Sequence, residues 1–466
     1  MIDVVSNYGI TFVVSIVLAR LLTPDEYGIV GTALIFIALG NCFVDSGMGN
    51  AIIRKQKVDA VDYSTVFISN MCISAAVTAI LYLCAPSIAL FFKMPALTQV
   101  IRVLSFIIVI NALAITQRTR MTKNIDFKTQ ALISLPCTIA SGIIGIIMAV
   151  KGFGVWALVG QQLSRQILDT ILLWIVNRGF PRLVFSFRRF KSLFGFGWKI
   201  LVSGLIQTIW RQAYPILIGK CYGSATLGQY TRAYQFCSIV SENMTSVIQR
   251  VSFPSLSSIQ DDPERLLSAY KRVIRTTMAI TSTSLLGLCA AAPSLIVTII
   301  GPQWLPSIRL LQILCISMLF YPLTSINSNM LQIHGRSDWF LKVEIIQKIL
   351  ALSTLAIGIA FNIYWMLVSS IATNFISFLV AAHYSTKLTR HNAFRQIKDL
   401  LPEGLIAASM ALVVHAVLLL PVAPYIQLSI QIIVGAAWTI VWNLILKLPE
   451  SVEIRNIIGK IVHRPR

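Results

Sequence analysis

The sequence predicts an all-α polytopic membrane protein with about 14 transmembrane helices, arranged as two pseudo-symmetric six-helix lobes plus two C-terminal helices. Three observations predict this fold. Of the 466 residues, 56% are hydrophobic and 12% are charged, whereas an ordinary soluble domain has roughly 25% charged residues. Apolar blocks of about 20 residues, enough to cross the hydrocarbon core, recur from Met1 to Leu446. Finally, the two halves of the chain echo each other.

Hydropathy and turn signals place the spans. The first lobe, 1–177, has spans near 2–19, 28–50, 64–90, 100–116, 129–150 and 154–177. A basic amphipathic connector, 178–194, follows; it is expected to lie along the lipid headgroups, or alternatively to be a solvated loop. The second lobe, 195–386, has spans near 195–219, 226–256, 274–300, 307–332, 340–361 and 363–386. The last region, 387–466, has spans near 401–420 and 425–446 and a basic tail.

The charge distribution predicts the topology. Lys and Arg number 39 against 18 Asp and Glu, a net charge of +21, which in a soluble protein would suggest nucleic-acid binding. Here 27 of the 39 basic residues fall in the loops on the side of the two termini, and six fall in the opposite loops. Positive residues favour the cytoplasmic side of a membrane. Both termini are therefore expected to be cytoplasmic, and no nucleic-acid partner is expected.

An internal repeat relates the two lobes. The turn from Leu18 to Gly28 (LARLLTPDEYG) echoes the turn from Ile218 to Gly228 (IGKCYGSATLG), which leaves span 7 and enters span 8. Two further echoes follow in the same order: 101–104 with 308–311, and 126–128 with 338–342. Each echo is displaced by six spans, and an even number keeps both halves in one orientation. We therefore expect parallel lobes that rock about a central site.

No motif for covalent chemistry is present in the sequence. It contains no P-loop, HExxH, GxSxG or metal-ligand cluster. The eight cysteines form no CxxC pair, and seven of them lie in apolar blocks, which favours packing over a disulfide framework or a metal site. We expect no enzyme activity, no cofactor and no metal.

Ionisable residues inside spans are candidates for function, because each costs about 2.5–3.5 kcal/mol to insert. The candidates are Asp45, Arg165, Asp169, Lys199, Arg211, Arg232, Glu242, Arg250 and Lys348. Arg165 with Asp169, and Glu344 with Lys348, have the i,i+4 spacing that lets each pair neutralise itself on one helix face. Five aromatic residues on spans 7 and 8 either stack on sugars or belong to an interfacial belt: Trp210, Tyr214, Tyr222, Tyr230 and Tyr234.

The remaining ionisable residues leave two interpretations open. Arg211 has no acidic residue at i±3 or i±4, so a bound anion or an acid on another helix must balance it. Lys199 and Arg250 lie near the cytoplasmic boundary, where they either snorkel to water or guard a cavity mouth. Asp45 and Glu242 are either ion or proton sites or partners of buried arginines.

Several segments together resemble a known family. They are 14–28 (VSIVLARLLTPDEYG), 43–53 (FVDSGMGNAII), 152–161 (GFGVWALVGQ), 227–233 (LGQYTRA) and 335–342 (GRSDWFLK). The chain is similar over essentially its whole length to the Wzx-type polysaccharide-transport flippases of the multidrug/oligosaccharidyl-lipid/polysaccharide exporter superfamily. The resemblance implies two six-helix lobes around a cavity, and translocation of undecaprenyl-diphosphate-linked oligosaccharide across the bacterial inner membrane. One departure is that relatives usually carry a basic segment before span 1, which this sequence nearly lacks.

The resemblance suggests how the candidate residues divide. A diphosphate requires cations in a low-dielectric wall, so Arg211, Lys199, Arg250 and Arg165 are assigned to substrate binding. Asp45, Glu242 and Asp169 are assigned to Na⁺ or H⁺ coupling or to charge pairing. The expected partners are the lipid-linked oligosaccharide, the bilayer, and glycan polymerase and ligase proteins.

Two other functions stay open at this point. A multidrug antiporter of the same superfamily would carry organic cations and would favour an acidic cavity. The nine candidate residues comprise six cations and three acids, which favours an anionic cargo. A non-transporting scaffold for glycan assembly is the second alternative, and it would use the basic loops to recruit enzymes.

Overall fold

The computed structural model describes residues 2–177 and 184–446. Residues 178–183 of the predicted connector and the predicted cytoplasmic tail, 447–466, lie outside the described residues. Over the described ranges the chain is helical and contains no strand, which confirms the predicted all-α class. Large apolar side chains such as Leu83, Leu90 and Leu419 remain exposed on the helices. Exposed apolar surface of this extent is typical of a protein that lies in a membrane.

Seventeen α-helices follow one another in the described ranges. In chain order they are α1 (Ile2–Leu21), α2 (Pro24–Asp45), α3 (Met48–Arg54), α4 (Ala60–Phe92), α5 (Leu97–Leu104), α6 (Phe106–Lys123), α7 (Phe127–Val150), α8 (Val155–Asn177), α9 (Phe187–Ser238), α10 (Met244–Ser257), α11 (Pro263–Ile299), α12 (Leu305–Ser317), α13 (Tyr321–Ile333), α14 (Ser337–Ala360), α15 (Ile363–Thr389), α16 (Ala393–Ala416) and α17 (Pro424–Leu446).

Within the described ranges, eleven helical segments are long and apolar enough to cross a membrane. One of them, 187–257, contains both predicted spans 7 and 8. The backbone breaks between these two spans at Gly223, whose φ of 85° lies in the region that favours glycine. The protein is therefore a multi-pass membrane protein, but the predicted count of 14 spans is not confirmed.

The chain divides into two compact units, 1–231 and 232–466. In the first unit α7 packs against α1 and α8, while α4 packs against α5 and α6. The core of this unit includes the fully buried side chains of Leu18, Leu97 and Leu104. The domain boundaries predicted from the repeat remain predictions.

The second unit is held together partly by a buried polar cluster. Tyr270 donates its hydroxyl hydrogen to Asn327 Oδ1 at 2.7 Å, and Asn327 donates to Gln396 Oε1 at 2.9 Å. These residues lie on α11, α13 and α16, and Ser385 of α15 lies 3.2 Å from the Tyr270 hydroxyl. Since buried polar groups are costly unless hydrogen bonded, this cluster fixes how the four helices pack.

The turn that leads into α2 is specified by its sequence. Thr23 is the N-cap residue of α2 and Glu26 is its N3 residue, and together they form a capping box. The Thr23 backbone N–H donates to Glu26 Oε2 at 2.7 Å, and the Glu26 N–H donates to Thr23 Oγ1 at 3.4 Å. Pro24 occupies the first helical position, where no N–H is needed. The Thr-Pro-Asp-Glu segment therefore starts α2 at a defined residue.

The first sequence echo is also a physical contact. The repeat aligns Gly28 with Gly228. In the first unit Gly28 packs against the backbone of Ser224, and Gly228 packs against the backbone of Pro24. A Cβ atom on Gly28 would overlap the carbonyl of Ser224, and one on Gly228 would overlap the carbonyl of Pro24. The Ser224 hydroxyl donates to Asp25 Oδ1 at the same contact. The echoed glycines are thus explained by a close approach of two backbones.

A second close backbone approach joins the far end of α2 to α9. Gly47 has a φ of 66°, and a Cβ atom there would overlap the carbonyl oxygen of Gly197. A Cβ atom on Gly197 would lie 2.6 Å from the carbonyl oxygen of Ser46. The start of α2 and the turn that follows α2 therefore both contact the chain segment 197–228.

The described part of the connector is tied to the first unit by charge. Arg189 lies 2.9 Å from a carboxylate oxygen of Asp59 and 2.9 Å from one of Asp62. Asp62 is fully buried and also accepts from Lys55 Nζ at 2.6 Å. Several donors to one buried carboxylate offset its desolvation cost. The connector is thereby fixed to the loop between α3 and α4 and to the start of α4.

We predict that the Gly28 contact depends on the missing side chain. In a Cys221→Ser background, the pair Asp25→Cys and Ser224→Cys should form a disulfide upon mild oxidation. Adding Gly28→Val should reduce this cross-linking to background, because the valine side chain cannot fit against Ser224. Gly204 has no atom within 4 Å of its Cβ position, so Gly204→Val is the matched control and should leave cross-linking unchanged. Equal cross-linking in both valine variants would contradict the close packing.

Candidate functional site

Two adjoining cavities lie within the first unit. The first has a volume of about 550 Å³ and is formed by α2, α6, α7, α8 and α9. The second has a volume of about 450 Å³ and is formed by α2, α3 and α6. Asn41 and Arg118 line both of them. These volumes fall within the range of roughly 300–1,000 Å³ that small-molecule sites occupy.

The lining combines apolar side chains with charged and carboxamide side chains. Four charged residues line one or both cavities: Asp45, Arg118, Arg165 and Asp169. Six carboxamides accompany them: Asn41, Asn50, Asn111, Gln162, Gln166 and Gln212. None of the described lining residues is aromatic. Polar groups within membrane-spanning helices are expensive unless they face a cavity or a partner, so the cavities explain why these helices carry them.

An ion pair between α6 and α8 crosses the lining. Arg118 Nη2 contacts Asp169 Oδ2, and the Asp169 side chain is 14% exposed. The expectation that Asp169 pairs with Arg165 is wrong, because the guanidinium of Arg118 occupies that carboxylate instead. Among the described residues no carboxylate lies within ion-pair distance of Arg165, which lines the first cavity. The other expected i,i+4 pair is confirmed: Lys348 Nζ lies 3.9 Å from Glu344 Oε2.

Arg118 is the residue that sequence reasoning misplaced. Hydropathy ends the fourth span near 116 and therefore places Arg118 in a cytoplasmic loop. The structure continues α6 to Lys123, so Arg118 faces the cavities from within a helix. A hydropathy scan ends a span where the side chains become polar. The helix continues past that point, because its backbone hydrogen bonds do not depend on apolar side chains.

Three of the cavity carboxamides are hydrogen bonded in a row. Gln166 Nε2 donates to Asn111 Oδ1 at 3.3 Å, and Asn111 Nδ2 donates to Asn41 Oδ1 at 3.0 Å. These residues come from α8, α6 and α2, so the row links three helices. None of the three is among the candidates expected from the sequence, which are ionisable and aromatic residues. Uncharged polar residues inside apolar blocks, such as Asn41 and Asn111, were the signal that could have found them.

The other three predicted cations lie outside the lining of the two cavities. Lys199, Arg211 and Arg250 are exposed side chains. Among the described residues Arg211 has no carboxylate within ion-pair distance. Its neighbour Gln212 lines the first cavity, and successive helical residues point about 100° apart, which directs Arg211 away from the position of Gln212. Substrate binding by these three residues remains a prediction.

The two remaining acidic candidates lie in different units. Asp45 lines the second cavity at the last residue of α2. Glu242 lies in the second unit, in a π-helical turn at Ile239–Asn243 between α9 and α10. The Tyr234 hydroxyl donates to Glu242 Oε1 at 2.5 Å. Such π-turns are rare and are frequent at functional sites, and no feature of the sequence indicated this one.

Comparison with known proteins supports the family resemblance. A family model described as "Polysaccharide biosynthesis protein" matches residues 17–309. The succinoglycan biosynthesis transport protein ExoT of Rhizobium meliloti (strain 1021) is 25% identical over 311 residues, 67% of this chain and 63% of ExoT. This chain therefore spans less than two thirds of the length of ExoT. The lipopolysaccharide biosynthesis protein WzxC of Escherichia coli (strain K12) is 23% identical over 356 residues, 75% of this chain and 72% of WzxC.

A solved structure shares the fold. The lipid II flippase MurJ in an inward closed conformation superposes with a TM-score of 0.78, at 14% sequence identity. The superposition covers 98% of this chain and 99% of MurJ. At this level of identity the similarity establishes the fold and does not assign a substrate.

We predict that the Asp169 carboxylate is coupled to Arg118 and not to Arg165. A double-mutant cycle with Arg118→Ala and Asp169→Asn should give a coupling energy of about 1 kcal/mol, since Arg118 is partly exposed. The matched cycle with Arg165→Ala and Asp169→Asn should give a coupling close to zero. Thermal unfolding of the purified variants in detergent measures both cycles. A larger coupling energy in the Arg165 cycle than in the Arg118 cycle would contradict this prediction and favour an ion pair between Arg165 and Asp169.

Proposed function

The chain belongs to the polysaccharide biosynthesis protein family, and on that premise we propose that it is a flippase for undecaprenyl-diphosphate-linked oligosaccharide. In this proposal it moves the lipid from the cytoplasmic to the outer leaflet of the bacterial inner membrane by alternating access. The observation that carries the proposal is the set of charged and carboxamide side chains that line the two cavities. A transporter of a small apolar molecule would not require such a lining.

The physical task is to lower the cost of moving a polar head through hydrocarbon. The head consists of a glycan and a diphosphate, whereas the isoprenoid tail remains in lipid throughout. A cavity that supplies hydrogen bonds replaces the water that the head loses on leaving the surface. No covalent bond breaks in this process, so we propose no enzyme activity and no cofactor.

The arginines are proposed to hold the diphosphate. Arg165 lines the first cavity without an ion pair among the described residues, and Arg118 lines both cavities. Hydrogen bonds from guanidinium groups to phosphate oxygens are charge-assisted and are strengthened by a low dielectric. Arg211, Lys199 and Arg250 are proposed to guide the anionic head, because they are exposed cations on α9 and α10.

The acidic residues are proposed to couple transport to an ion gradient. Asp45 faces a cavity, whereas Glu242 accepts a hydrogen bond from Tyr234 in a π-turn. We propose that either carboxylate binds H⁺ or Na⁺ during the transport cycle. Asp169 is proposed to hold Arg118 in place rather than to bind an ion, because it already contacts that guanidinium.

The proposed location follows from the charge bias and the substrate. We propose a bacterial inner-membrane protein with both termini cytoplasmic, which works beside glycan polymerase and ligase proteins. The multidrug antiporter is less well supported, since two cations accompany the two acids in the lining and no described lining residue is aromatic. Organic cations are recognised chiefly by carboxylates and aromatic rings.

The proposal predicts where the lipid accumulates when the protein is absent. In a deletion strain, lipid-linked oligosaccharide should build up on the cytoplasmic leaflet, as measured by a leaflet-resolved assay on oriented membrane vesicles. Expression of the parent chain should clear the accumulated lipid, and expression of Arg165→Ala should clear it more slowly at equal protein level. If deletion instead reduced total lipid-linked oligosaccharide with no change in its leaflet, the chain would act as a scaffold for synthesis.

A further inference from the structure

The three hydrogen-bonded carboxamides, here called the carboxamide row, lie where the two cavities adjoin. Asn41, Asn111 and Gln166 join the two cavities, since Gln166 lines the first, Asn111 lines the second and Asn41 lines both. A ligand that extends from one cavity into the other would pass close to Asn41, which lines both cavities together with Ala38 and Arg118. A ligand longer than one cavity would therefore contact the side chains of the row along its length.

The chemistry of these side chains selects among the parts of the proposed substrate. A carboxamide is neutral and offers two N–H donors and one carbonyl acceptor. A sugar hydroxyl likewise donates and accepts, so the two groups can exchange hydrogen bonds in both directions. A diphosphate only accepts, and the arginines of the same lining, which only donate, suit it better. The carboxamides are thus the neutral part of the lining, and Arg118 and Arg165 are its cationic part. The two parts are interleaved on α8, where Gln162, Arg165, Gln166 and Asp169 all line the first cavity.

The row is fixed in one direction, which leaves defined groups for a ligand. Asn111 gives one N–H to Asn41 and receives one from Gln166. Within the described ranges, neither N–H of Asn41 has a partner, and the carbonyl oxygen of Gln166 has none either. Side chains held by their neighbours lose less conformational freedom when they bind. The row accordingly presents donors at the Asn41 end and an acceptor at the Gln166 end.

A purely structural role explains the row less well. The same two helices, α6 and α8, are already joined by side chains that bond to backbone carbonyls away from the row. Trp174 Nε1 donates to Leu113 O at 3.1 Å, and Asn177 Nδ2 donates to Gln117 O at 3.3 Å. Neither Trp174 nor Asn177 is among the residues that line the two cavities. The hydrogen bond between Gln166 and Asn111 is therefore not required to hold α6 against α8.

We propose that Asn41, Asn111 and Gln166 form a sugar-recognition row that contacts the glycan hydroxyls and determines which repeat unit is carried. The inference rests on the proposed flippase function, because it assigns the glycan to the neutral part of that site and the diphosphate to Arg118 and Arg165. Gln162 and Gln212 extend the neutral part on the wall of the first cavity.

The test compares two lipids that share the diphosphate and the tail. Purified protein in proteoliposomes receives undecaprenyl diphosphate carrying the full repeat unit, extracted from the deletion strain, or undecaprenyl diphosphate carrying only the first sugar. Transport is measured as the rate at which the sugars become accessible to membrane-impermeant periodate. The variants are Asn111→Leu, Gln166→Leu and the smaller Gln166→Ala, each checked for the thermal stability of the parent chain. Asn177→Leu on α8 is the matched control, since it removes a carboxamide that lines neither cavity.

We expect Asn111→Leu and both Gln166 variants to slow transport of the full repeat unit by about tenfold, the size expected for a lost hydrogen bond or two. Transport of the one-sugar lipid should change by less than about twofold, and Asn177→Leu should leave both rates unchanged. Equal losses on the two lipids, or no loss on the full repeat unit while the parent chain transports it, would overturn the row as a sugar reader. A parent chain that moves neither lipid would instead overturn the proposed function itself.

Discussion

The structure depends on one constraint, which is that a polar group inside a membrane needs a polar partner or a cavity. Most spans satisfy it by being apolar. The first unit satisfies it differently, because α2, α6 and α8 turn amides and charges toward two cavities and pair Arg118 with Asp169. A polar interior surrounded by apolar helices is the physical basis for moving a hydrophilic head through lipid.

The close glycine contacts place the helices that bear this lining. The start of α2 meets the backbone at Ser224 through Gly28, while the turn after α2 meets Gly197 through Gly47. Both contacts require a missing side chain, so α2 lies against two segments of α9 without intervening bulk. Asn41 and Asp45 lie on α2 between these points and are thereby held at the cavities.

Much of the fold could be predicted from the sequence, because long apolar blocks leave few alternatives to membrane-spanning helices. The family resemblance drawn from five motifs is confirmed by the family model, and the echo of Gly28 with Gly228 proved to be a contact. The site was harder to predict. Hydropathy ended the fourth span before Arg118, and local spacing gave Asp169 the wrong partner, since spacing along one helix says nothing about a guanidinium on another.

The carboxamides were missed for a different reason. An Asn or Gln in an apolar block costs less than a charge and therefore stands out less, although here six of them line the cavities. The π-turn that carries Glu242 was also invisible, because a π-turn has no residue signature. What sequence reasoning lacked at each of these positions was the identity of neighbours on other helices.

The most direct measurement of the central claim is photo-cross-linking from inside the first cavity. A diazirine amino acid at Ser134, which lines this cavity, is compared with one at Leu132, which is 57% exposed on the same helix. In membranes that contain lipid-linked oligosaccharide, we expect cross-links to the glycan from position 134 and cross-links only to lipid from position 132. If a protein with the diazirine at position 134 still transported the lipid but gave no cross-links to the glycan, the proposed role of the cavity would be contradicted.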